Sequence, residues 1–125
     1  MIYGIGIDMV EISRIEKALE RWGEPFLKRI FTQAEIKYCH HGVRAPSRFA
    51  LRFAAKEAFS KALGSGFRNG LGLRHIEVVR GPNGRPHLSL HRRAKELCER
   101  HGIKNSFLSL SDNGLYAIAV VVLEV

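Results

Sequence analysis

A chain of 125 residues, 46% of them hydrophobic, is sized for one compact soluble domain and excludes a second catalytic unit. Twenty Lys and Arg against twelve Asp and Glu give a net charge of +8, which attracts polyanions, but the basic residues are scattered from Arg14 to Lys104 among glutamates rather than run together as in a nucleic-acid arm. Two cysteines supply no disulfide framework, Asp8 interrupts the N-terminus too early for a signal peptide, and the apolar end Tyr116 to Val125 is too short to cross a bilayer as a helix, so a cytoplasmic protein with no membrane partner is expected.

Ile2 to Ile7 reads as a strand, with Tyr3, Ile5 and Ile7 on one face and Gly4 and Gly6 on the other, where a second backbone could come close. Asp8 stands where that strand is expected to stop. Ser13 and Glu16 have the spacing of a capping box, and Ile15, Ala18, Leu19 and Trp22 then recur at helical intervals up to Gly23 and Pro25. A second box, Thr32 with Glu35, opens a short helix carrying Ile36 and Cys39 that stops at Gly42. Pro46 starts the best helix, Ser47 to Leu63, closed by Gly64, with Phe49, Phe53 and Ala54 toward the core. The glycine-rich stretch 64–73 is a loop. Ile76 to Val79 and His87 to Leu90 form a hairpin about Gly81-Pro82-Asn83-Gly84. His91 to His101 is an amphipathic helix burying Ala94, Leu97 and Cys98, and two strands, Ser106 to Ser111 and Tyr116 to Leu123, flank the turn Asp112-Asn113-Gly114. The fold class is therefore α+β, a mostly antiparallel sheet packed with helices in one domain, residues 1–125. A substrate much longer than a small metabolite would need a groove over much of this surface, or one completed by a neighbouring subunit.

Two carboxylates are out of place in these patterns. Asp8 at a strand end is either a turn or capping aspartate or the partner of a cation. Glu57 lies beside the apolar face of the long helix, four residues after Phe53; it either pairs with Lys61 on a solvated edge or turns inward. If the two converge, hard oxygen ligands with several waters make a magnesium site. Arg48, Arg52 and Lys56 are spaced by four, a row that is either a solvated basic face or a phosphate-binding one. Gly64-Ser65-Gly66 lacks the lysine and spacing of a P-loop, and it follows a helix. Consecutive residues Cys39-His40-His41 cannot converge on one zinc ion, and no nucleophile elbow surrounds Ser109 or Ser111.

The opening GIGIDMVEISRI and the helix RFAAKEAFSKALG together resemble the two signatures of the holo-acyl carrier protein synthase family of phosphopantetheinyl transferases, in the same order and over nearly the whole chain. The resemblance implies a compact α+β fold forming homotrimers, with coenzyme A bound in a cleft between neighbours and an acidic acyl carrier protein as the second substrate. It implies Mg2+ held by Asp8 and Glu57, with Arg48, Arg52 and Lys61 on the phosphates and nucleotide. Gly64 and the turn Asn83-Gly84-Arg85-Pro86 would line the cleft, Arg85 and Pro86 contacting coenzyme A. Arg14 and Arg21 on the first helix, with Arg29 beyond it, would dock the carrier. Ser111-Asp112 departs from the Ser/Thr-His of many relatives, and Asp112 receives no catalytic role. In the chemistry that follows, a carrier serine attacks the β-phosphate of coenzyme A in fatty acid biosynthesis, Lys61 is a fixed positive charge and Glu57 accepts the serine proton. The competing expectation is a nucleic-acid-binding module without catalysis, which the charge permits but which leaves Asp8 and Glu57 without a purpose.

Overall fold

The computed structural model describes all residues, Met1 to Val125. The first strand, β1, runs Ile2–Glu11, past the expected stop, because antiparallel pairing with β5 (Tyr116–Glu124) continues unbroken to the pair Glu11 and Tyr116. Asp8 is thus mid-strand, opposite Ala119, rather than at a strand end. β4 (Asn105–Asp112) completes a three-stranded sheet in the order β1-β5-β4. Its hairpin with β5 turns at Gly114, whose φ is +87°, while Asn113 Oδ1 accepts from the amides of Leu115 and Tyr116. A second antiparallel pair, β2 (Ile76–Arg80) and β3 (Pro86–Leu90), follows a short 3-10 turn at Leu73–His75. The two sheets share no strand pairing.

Helix α1 (Ile12–Trp22) starts one residue before Ser13, so the expected Ser13 and Glu16 capping box does not form. The strand runs straight into the helix, Glu11 takes the capping position, and the Ser13 hydroxyl donates to Glu11 Oε1 at 3.1 Å. Ile12 and Ile15 are buried, whereas Trp22 is 57% exposed instead of joining the core. Gly23 closes α1 as expected, but a second helix, α2 (Glu24–Ile30), begins at once, with Pro25 in its first turn, where a missing N–H costs nothing. The Thr32 and Glu35 box is formed at the start of α3 (Gln33–Cys39), as the sequence predicts.

Helix α4 (Ala45–Leu63) is the spine of the molecule, and it starts two residues earlier than expected, with Pro46 in its first turn. Phe49, Ala50, Ala54, Ala55, Ala58, Phe59 and Ala62 are buried on it, and Phe53 is partly so. It lies across the inner face of the large sheet, where β5 contributes the alternate residues Ala117, Ala119, Val121 and Leu123, all with no exposed surface. The small side chains bring backbones together. A Cβ added to Gly4 would sit 2.0 Å from the Ala62 carbonyl oxygen, and one on Gly6 would sit 1.9 Å from that of Ala58. The last helix, α5 (Arg92–Arg100), buries Ala94, Leu97 and Cys98 as its periodicity predicts. No helix is long and apolar enough to cross a membrane. On the opposite face of the sheet Ile5, Ile7, Met9 and Phe107 stay more than half exposed, and Ile5 and Phe107 flank the same residue, Val122.

One polar cluster lies inside the fold. Lys56 and Glu35 are fully buried and paired at 2.7 Å. Glu35 Oε1 also caps Thr32 N, its Oε2 accepts from Val78 N, and Lys56 Nζ donates to the carbonyls of Leu73 and Ile76. Lys56 therefore belongs to neither a solvated basic face nor a phosphate-binding row, which corrects both expectations for that position. Burial pulls its ammonium below the usual lysine range, and the Glu35 carboxylate opposes that shift.

Candidate active site

The register of strand against helix brings the two odd carboxylates together. Gly4 meets the Ala62 turn and Gly6 the Ala58 turn. Two strand residues advance by about 6.6 Å and four helical residues by about 6 Å, so the two elements stay nearly in step. Asp8, next on the same face of β1, comes opposite the preceding turn of α4. Helical side chains lean toward their N-terminus, which directs Glu57 and Lys61, one turn apart on one side of α4, at that point. Lys61 Nζ donates to Asp8 Oδ1 at 2.9 Å and to the Ile7 carbonyl at 3.0 Å. Asp8 retains 16% of its side-chain exposure and Lys61 53%.

Glu57 lies within electrostatic reach of Asp8. Desolvation pushes its carboxyl above the ordinary glutamate range, the Asp8 charge adds to the rise, and Lys61 partly offsets it. Two carboxylates that repel one another beside a single lysine form a site that favours a cation. No third His, Cys, Asp or Glu joins them, so an ion there would take two protein oxygens and complete its shell with water or ligand oxygens. That donor set suits magnesium, which keeps several waters, and would be poor for zinc. Cys39 and Cys98 offer no alternative: both thiols are buried and pushed up to about 11.

The other expected site residues lie in four places. Gly64 ends α4 in the left-handed region at φ +94°, immediately beyond Lys61. Arg48 is nine residues before Glu57, which places it about half a turn around the helix. It donates to the His41 carbonyl and lines a cleft of about 470 Å³ with Ala34, Lys37, Tyr38 and His41. Arg52 is 3% exposed, with its Nε lacking any partner. Arg85 is exposed at the β2–β3 turn and Pro86 opens β3. Within one chain, then, Asp8, Glu57, Lys61 and Gly64 form one group, while Arg48 and Arg52 face another way. Arg14, Arg21 and Arg29 are all exposed, and Arg21 and Arg29 border one shallow cleft with Trp22, Pro25 and Phe26.

Sequence reasoning found Glu35 only as a helix cap and passed over Tyr38. The capping box exposed half of Glu35's role; its partner Lys56, 21 residues away, had no local signal.

Comparison with known proteins shows the family to which the chain belongs. The family described as the 4′-phosphopantetheinyl transferase superfamily matches residues 4–121. A holo-[acyl-carrier-protein] synthase of Geobacter sp. (strain M21) is 49% identical over 124 residues, 99% of each chain, and one of Koribacter versatilis is 47% identical over the same span. Among solved structures, the holo-[acyl-carrier-protein] synthase of Neisseria meningitidis superposes with a TM-score of 0.91 at 36% identity, covering 99% of both chains. That of Helicobacter pylori, in complex with coenzyme A, gives 0.85 at 38% identity over 96% of this chain and 99% of its own. The chain belongs to the 4′-phosphopantetheinyl transferase superfamily, and within it to the holo-acyl carrier protein synthase type.

Proposed function

We propose that this protein transfers the 4′-phosphopantetheine group of coenzyme A to a serine of an apo-acyl carrier protein, releasing adenosine 3′,5′-bisphosphate, in the service of fatty acid biosynthesis. The observation that carries the reading is the convergence of Asp8, from a strand, with Glu57 and Lys61, from a helix far along the sequence, within a chain so closely related to holo-acyl carrier protein synthases.

Asp8 and Glu57 hold magnesium in this reading. The bound ion would supply charge neutralisation on the phosphoryl oxygens and the departing bisphosphate. The rest is work for the chain's own groups. The carrier serine oxygen bonds to the β-phosphorus as the bond from that phosphorus to the oxygen bridging to the α-phosphate breaks, and the electron pair leaves with the bisphosphate. Glu57 takes the serine proton directly or through water, and burial together with the Asp8 charge, by raising its carboxyl above the ordinary glutamate range, makes it a stronger base. Lys61, tethered by the Ile7 carbonyl, holds a fixed positive charge beside the reacting phosphate.

Arg48 and Arg52 bind coenzyme A phosphates from a second copy of the chain, which accounts for their orientation away from Asp8 within one chain. Gly64, Arg85 and Pro86 form further parts of the cleft. The exposed apolar strip of Ile5, Ile7, Met9 and Phe107 gives copies a surface on which to associate, in a homotrimer. An acidic carrier docks on the arginines of the first two helices, Arg14, Arg21 and Arg29, steered by the overall positive charge. A nucleic-acid-binding role gains nothing from this geometry, since Lys56 of the expected basic row is buried in a pair with Glu35.

Intact-mass analysis of an apo carrier incubated with the protein, coenzyme A and magnesium tests the proposal. The expected result is one added phosphopantetheine, absent with Asp8→Ala, with Glu57→Ala and after chelation. No mass gain with any acidic carrier would overturn it.

A further inference from the structure

Tyr38 stands where three elements meet. It lies on α3, and the guanidinium carbon of Arg52, from α4, sits 4.6 Å from the centre of its ring. The guanidinium carbon of Arg80, at the end of β2, sits 5.4 Å from the same centre. Arg80 Nη1 in turn donates to the Gly84 carbonyl at 2.7 Å, within the turn that leads to Arg85 and Pro86. One aromatic ring therefore connects the long helix to the turn of the small sheet.

The charges around that ring are unbalanced. Arg52 is 3% exposed, its Nη1 donates only to the Arg48 carbonyl, and its Nε has no partner. A buried guanidinium without a carboxylate is held by the face of an aromatic ring, whose negative quadrupole attracts it. None of Arg48, Arg52 and Arg80 takes part in an ion pair within the chain. Tyr38 itself borders the open cleft with Arg48, Lys37 and His41, and its hydroxyl makes no hydrogen bond in the chain. The ring, not the hydroxyl, is what the structure uses.

We infer that Tyr38 is a positioning residue for coenzyme A. It fixes Arg52 and Arg80 through its ring, so that the guanidinium of Arg52 and the turn carrying Arg85 are set in place before the ligand's phosphates arrive. The inference rests on the reading of Arg52, Arg85 and Pro86 as coenzyme A contacts. Preorganised cations lose less freedom on binding, so removal of the ring weakens ligand affinity while the reacting groups on Asp8, Glu57 and Lys61 remain untouched.

Steady-state kinetics on Tyr38→Leu, Tyr38→Phe and Arg52→Met variants of the full chain separate the outcomes, with adenosine 3′,5′-bisphosphate binding measured by calorimetry. Tyr38→Leu should raise the KM for coenzyme A about tenfold and weaken bisphosphate binding alike, as loss of a desolvated cation–π contact implies. The kcat and the KM for the carrier should stay near wild type, and Tyr38→Phe should restore wild-type behaviour. An unchanged coenzyme A KM in Tyr38→Leu, an equal rise in both KM values, or a Tyr38→Phe variant as impaired as Tyr38→Leu would overturn the role of the ring. An Arg52→Met variant with a wild-type coenzyme A KM would instead remove the underlying assignment of Arg52, and the inference with it.

Discussion

Replacing Gly6 by alanine should disturb stability and catalysis together, because one contact serves both. The new Cβ would stand 1.9 Å from the Ala58 carbonyl oxygen and 2.6 Å from the Ala62 amide nitrogen, both backbone atoms that no rotamer change can move. Ordinary contact begins at 3.4 Å, so β1 and α4 would have to part by about 1.5 Å along that line. Overpacking of this kind costs about 1–3 kcal/mol, and the upper end applies where only backbone can yield. The separation falls two residues from Asp8 on one side and next to Glu57 on the other. A misplacement of about 1 Å at reacting groups can reduce turnover about 100-fold. Urea denaturation gives the first quantity, and kcat/KM at a temperature where the variant is fully folded gives the second. A Gly6→Ala protein with wild-type denaturation midpoint and turnover would refute the close-packed register from which the site was built.

Other consequences can be checked separately. Burial and the Asp8 charge raise the Glu57 pKa, so the folded chain holds that proton more tightly than the unfolded one, and stability from this group falls as pH rises above the ordinary value of 4.5. Without metal, Glu57→Gln should therefore raise Tm at pH 7, with a gain that vanishes below about pH 4.5; added Mg2+ should raise Tm for the wild type and not for the variant. Lys56→Met leaves the Glu35 carboxylate buried without its cation, a loss of about 3–5 kcal/mol measurable by chemical denaturation, and a smaller loss than 1 kcal/mol would count against a tight pair. Exchanging both Arg14 and Arg21 for glutamate should raise the carrier KM more than that of coenzyme A, increasingly so at low salt; equal changes would move the docking surface elsewhere.

What the sequence revealed was local chemistry. Thr32 and Glu35 cap a helix through atoms three residues apart, and Asp112-Asn113-Gly114 turns a hairpin through its own side chains, so both were readable from neighbours alone. The two glycines of β1 announced a close backbone without naming the helix that fills the space. Ser13 and Glu16 had the spacing of a cap but lost to long-range pairing, which held Glu11 in the strand opposite Tyr116. Pro25 looked like a stop because a proline after a helix and a proline opening the next share the same local sequence. The pairing of Asp8 with Glu57 was suggested by position and resemblance, yet the geometry that brings them together depends on the step of strand against helix, which no residue encodes alone. Lys56 defeated pattern reading altogether, since its spacing from Arg48 and Arg52 imitates a solvated stripe while its counter-ion comes from another helix.

The joint between the two sheets has a consequence for behaviour on heating. No ladder of backbone hydrogen bonds links them there; instead the Lys56 ammonium binds carbonyls of Leu73 and Ile76, and Glu35 binds the amide of Val78. Hydration of charged groups becomes less favourable as temperature rises, so the cost of keeping this pair dry falls while the gain from apolar burial levels off. The seam joining the small sheet to the helical spine should thus keep its hold as the molecule warms, and local opening should begin at the chain's exposed loops and helix ends before the small hairpin parts from α4.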